Sequence, residues 1–117
     1  MLDGLDKFIT EEQLKKATEN MSFTIEGLRT YSISEPLYEE GAKLAGALAR
    51  VVAGQLPLDS DEFIFFGRKV LKYLTIDKKV LAQDKTYFQK YKKDYYTCVF
   101  TTAGVFAELF QPGRITD

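Results

Sequence analysis

Nine basic side chains fall between positions 68 and 93: Arg68, Lys69, Lys72, Lys78, Lys79, Lys85, Lys90, Lys92 and Lys93. Only Asp77 and Asp84 oppose them, so this stretch carries +7 in a chain whose net charge is −1. Residues 1–67 hold six basic and twelve acidic residues, for −6. Lysine ammonium groups neutralise phosphates, and an exposed tyrosine stacks on a base. Tyr96, just beyond Lys92 and Lys93, therefore completes the set of groups needed to contact a nucleic-acid backbone. Arginine, the residue favoured for bidentate contacts, occurs only once in the set, which weakens the case, since a lysine-rich helix face is usually just a solvated face. The competing explanation is charge matching between a basic helix pair and the acidic first half of the chain.

Other chemistries find little support. The chain has no histidine, which removes imidazole acid–base catalysis, Ser-His and Cys-His nucleophiles, and most zinc arrangements. Neither a Gly-x-Gly-x-x-Gly turn nor a Walker A loop occurs. Asp59-Ser60-Asp61 starts like a calcium loop, but Phe63 and Ile64 stand where the fifth ligand and the obligatory glycine belong. Glu39 with Glu40, or Asp61 with Glu62, offer paired carboxylates, yet acidic residues near helix starts are what the helix dipole selects. Cys98 sits on an apolar seam, where a thiol is inert. The expectation is a protein with no catalytic residue, no metal and no cofactor.

Hydrophobic spacing assigns the elements that position these groups. Thr10 with Gln13 has the capping-box spacing, and Leu14, Ala17, Met21, Ile25, Leu28 and Tyr31 recur by threes and fours, which predicts a helix over 11–31. Ser34 and Pro36 restart the chain into a second helix over 35–53, rich in Ala and Gly and stopped by Gly54. The small residues of that helix suit close approach by residues 101–107. Asp59 with Glu62 repeats the capping spacing ahead of a third helix over 60–74, and a short turn is expected over 78–83.

A long last helix is predicted over 84–110, ended by Pro112 and Gly113. Its first part is basic, and nothing from 95 to 107 is charged. Tyr91, Tyr95 and Cys98 form one apolar seam; Tyr96, Phe100, Gly104 and Ala107 lie on the opposite side, which is wet at its beginning. That opposite side is read as a docking surface for another protein or a second copy, the alternative being that the first helix wraps behind the last one and makes it the centre of the bundle. Thirteen uncharged residues are too few to span a bilayer, which needs roughly 17 to 25.

At 117 residues, with 45% hydrophobic and 28% charged content, the chain suits one domain with its own core. A single cysteine and an N-terminus without an apolar leader suggest the cytoplasm, and a membrane-surface role is disfavoured because apolar residues do not alternate with the lysines. Together these readings predict an all-α, single-domain bundle of four to five helices. Its expected work is binding: a small subunit of a larger assembly whose Lys/Tyr face contacts RNA or DNA. Two alternatives stand beside it, a small inhibitor or immunity-type bundle that binds one protein and no nucleic acid, and a minimal enzyme built on carboxylates.

Overall fold

The computed structural model describes residues 2–110 and replaces the all-α expectation with a mixed architecture: five helices together with a four-stranded antiparallel sheet. After a short turn at Leu5–Lys7, the order is α1 (Glu11–Asn20), β1 (Ser22–Ile25), β2 (Arg29–Ile33), α2 (Tyr38–Val52), α3 (Asp61–Leu71), β3 (Leu74–Ile76), β4 (Lys79–Val80), α4 (Tyr87–Lys90) and α5 (Tyr95–Leu109). The strands lie in the order β1-β2-β3-β4, so β2 and β3 join two hairpins across the sheet, with Ile33 opposite Leu74.

Helix α1 starts as its capping box dictates. The Gln13 backbone N–H donates to Thr10 Oγ1 at 3.1 Å, and the Thr10 N–H donates to Gln13 Oε1 at 3.0 Å. It does not run to residue 31. Met21 takes a left-handed conformation (φ 51°), and Phe23, Ile25, Tyr31 and Ile33 then alternate with the exposed Thr24, Thr30 and Ser32. Glu26 and Gly27 both have positive φ, and the Leu28 N–H donates to the Ile25 carbonyl, which closes a hairpin turn. Ile25 and Tyr31 fit a spacing of threes and fours and also a period of two, and pairing of β2 with the distant β3 goes with the second. The same device recurs at Asp77 and Lys78, both with positive φ, where β3 turns into β4 in place of a soft helical break.

Helix α2 begins at Tyr38 after Leu37, without side-chain capping by Ser34. It stops at Gly54 (φ 80°), where the Gln55 N–H reaches back to the Arg50 carbonyl. The cap of α3 is Ser60, whose Oγ accepts from the Phe63 N–H, one residue later than the Asp59 expected from the Glu62 spacing.

The predicted last helix is broken. Tyr91 leaves helical geometry (φ −115°, ψ 57°), a tight turn follows at Lys92–Asp94, and α5 starts at Tyr95. The expected stop at Pro112 and Gly113 lies outside the described residues. Every residue from Cys98 to Ala107 is buried, so α5 is apolar all round and forms the centre of the domain, contacted by α1, α2 and α3. The packing of α2 against α5 is the most extensive in the molecule, and Gly41 permits it: a Cβ there would come within 2.5 Å of the Phe110 ring.

Candidate nucleic-acid interface and the buried ion pair behind it

The nine basic side chains of 68–93 are all exposed. Arg68, Lys69 and Lys72 stand on α3 or at its end, Lys78 and Lys79 belong to the β3–β4 hairpin, Lys85 precedes α4, and Lys92 and Lys93 occupy the turn before α5. Among the described residues none of these nine is in an ion pair. The charge matching considered for the sequence is therefore not made at contact range.

Two clefts divide part of the set. Arg68 and Lys85 line a cleft of about 570 Å³ between α3 and the segment before α4, walled by Leu71, Leu81, Phe88 and Tyr95. Lys69 instead faces a cleft of about 530 Å³ between α2 and α3, where it joins Lys43 and Arg50. Those two cations were missed in the sequence because they are spaced along the seemingly acidic half of the chain. Carboxylates share both clefts: Asp84 beside Lys85, and Glu40 with Glu62 beside Lys69. Asp84 accepts from the Thr86 N–H and hydroxyl, which hold it below the usual carboxylate range, with the Lys79 charge helping.

Tyr96 is half exposed, and its ring rests on Phe63 at 6.0 Å and Phe100 at 6.4 Å between centroids. The other three residues of the expected docking face are not at the surface. Phe100 has no exposed area, Gly104 is buried and Ala107 nearly so. The N-terminal segment supplies the cover. Phe8 stacks on Phe100 with centroids 3.9 Å apart, and a Cβ on Gly104 would meet Leu14 and Leu5. This face is core, because residues 5–14 wrap behind α5.

Behind the basic surface lies a cluster that no spacing in the sequence announces. Arg29 on β2 donates to Asp94 through Nε (2.5 Å to Oδ2) and Nη2 (3.0 Å to Oδ1). The Tyr31 hydroxyl donates to Asp94 Oδ2 at 2.7 Å and lies 2.7 Å from the Tyr87 hydroxyl. Arg29 also stacks over the Tyr91 ring at 4.9 Å. Burial opposes charge on Asp94, but hydrogen bonds from Arg29 and Tyr31, with the Arg29 charge, outweigh it and hold the carboxyl below its ordinary range. Burial raises Tyr31 and Tyr87, and it pushes the nearby Cys98 thiol well up, with the Asp94 charge adding to it. At neutral pH the cluster thus holds a guanidinium, a carboxylate and protonated hydroxyl and thiol groups. It clips the first hairpin to the start of α5.

No helix among the described residues is long and apolar enough to cross a membrane, and no group of His, Cys, Asp or Glu among them is arranged to hold a metal ion. No family model, curated protein or solved structure matches the chain.

Proposed function

We propose that this protein binds single-stranded nucleic acid through the surface built by residues 68–93. The observation that carries this reading is the uncompensated charge: nine exposed cations in twenty-six positions, none of them ion-paired among the described residues. Concentrating so much like charge on one exposed segment is unfavourable for the isolated domain, and an anionic backbone relieves it, releasing its own counterions as the cations bind. Aromatic surface accompanies the charge. Phe88 and Tyr95 wall the cleft that Arg68 and Lys85 line, and Tyr96 is open to solvent, so bases can stack where phosphates pair. With one arginine among the nine, the contact is backbone-directed and tolerant of sequence.

Fluorescence anisotropy with labelled single-stranded RNA and DNA at two salt concentrations tests this. Affinity should fall steeply with salt, and replacing Lys85, Lys92 and Lys93 together by Glu should abolish binding while the melting temperature stays close to that of the parent. Salt-independent affinity, or a triple variant that binds as the parent does, would overturn the reading.

A further inference from the structure

Helix α3 carries a surface that its own domain leaves without a partner. Phe65 is 61% exposed and Ile64 beside it 42%, on an otherwise well-packed helix whose opposite side buries Phe63, Phe66 and Val70. Other strongly exposed apolar side chains stand elsewhere: Leu28 in a hairpin turn, Leu37 and Tyr38 at the start of α2. Asp61 and Glu62 precede Phe65, Arg68 and Lys69 follow it, and none of the four is in an ion pair among the described residues. The helix dipole accounts for acids at the start and bases at the end. It does not account for a phenylalanine and an isoleucine left open between them.

The placement of the four charges is self-complementary. At about 100° per residue, Asp61 and Arg68 lie about 40° and 60° to one side of Phe65, and Glu62 and Lys69 about 60° and 40° to the other. A two-fold axis that sets a second α3 antiparallel, with Phe65 against Phe65, brings Asp61 of each copy to Arg68 of the other and Glu62 to Lys69. This is the reciprocal pattern that an isologous interface requires. We propose that α3 pairs antiparallel with α3 of a second copy of this chain about such an axis.

The pair consumes Arg68 and Lys69 and leaves Lys72, Lys78, Lys79, Lys85, Lys90, Lys92 and Lys93 of each copy free for an anionic partner. The two readings share Arg68 and Lys69, and their tests part at Lys85, Lys92 and Lys93, which lie outside α3. The variant with all three changed to Glu is expected to associate as the parent does.

Sedimentation equilibrium of the full chain across the micromolar range, without nucleic acid, tests the pairing. The expected mass rises with concentration toward twice 13.3 kDa, and Phe65→Glu stays at 13.3 kDa. Two charge variants make the test specific. Asp61→Lys with Glu62→Lys sets base on base in a like pair, and Arg68→Glu with Lys69→Glu sets acid on acid, so each alone stays monomeric. Mixed in equal amounts they complement at all four contacts and regain the dimer mass. All the altered side chains are exposed, and circular dichroism checks that each variant is folded. A parent that is monomeric throughout, a dimer that survives Phe65→Glu, or a mixture that stays monomeric would each overturn the antiparallel α3 pair.

Discussion

Arg29 and Asp94, 65 positions apart, meet through two hydrogen bonds on one carboxylate, with Asp94 only 1% exposed. The contact joins β2 to the turn that launches α5, and Tyr31 adds a third donor to the same carboxylate. At that turn, Lys92 and Lys93 stay exposed while Asp94 points inward to Arg29.

Removing the carboxylate takes the acceptor from three donors. Asp94→Ala is expected to lower stability by about 3 kcal/mol, because the buried end of Arg29 and the Tyr31 hydroxyl lose their acceptor together. Urea denaturation of parent and variant measures it, and a loss within error would show that solvent replaces the contact freely.

The pair also gives stability a pH dependence of definite sign. The Asp94 carboxyl is depressed in the folded protein, so its contribution is present above the unfolded value of about 4 and is lost as pH falls below that toward the folded value. Melting temperature followed from pH 6 downward should drop more steeply below about pH 4 for the parent than for Asp94→Asn, which cannot titrate there. Parallel curves would remove Asp94 from the account.

Phe100 separates a core α5 from a docking α5. It is fully buried and packed on Phe8 and Phe63, so Phe100→Ser should cost at least about 3 kcal/mol, with no specific effect on association in molecules that remain folded. Thermal denaturation decides it; a melting temperature equal to the parent's would restore the surface reading of this face.

Thr102 is a fault in the core. Its Oγ1 is buried without a hydrogen-bond partner among the described residues, so Thr102→Val, which keeps the branched shape, should raise stability by roughly 1 kcal/mol. A loss measured by chemical denaturation would mean that the hydroxyl is satisfied in solution.

Gly41 is required by a ring rather than by backbone freedom. A methyl group there would overlap Phe110, and Gly41→Ala is expected to cost about 1 to 3 kcal/mol through displacement of that ring. Equal denaturation midpoints would mean that Phe110 moves aside without loss.

What the amino-acid sequence determined by itself is local. The Thr10–Gln13 capping box, the stop at Gly54, and the exposed basic run all follow from short-range spacing, where the interacting groups lie within a turn or two. Strand character over 22–33 was present too, in the alternation of Phe23, Ile25, Tyr31 and Ile33, but Ile25 and Tyr31 also belong to the helical spacing of Met21, Ile25, Leu28 and Tyr31. Tertiary structure chose between them, since β2 is completed by β3, 40 or so positions away, and no local window contains that pairing. It also decided the fate of α5. An uncharged helix face can meet a partner or its own chain, and only the return of Phe8 and Leu14 over Phe100 and Gly104 makes it core. Arg29 with Asp94 belongs to the same class, because an ion pair between distant residues leaves no period in the sequence, and its hydrogen bonds and charge attraction exist only once the chain has folded.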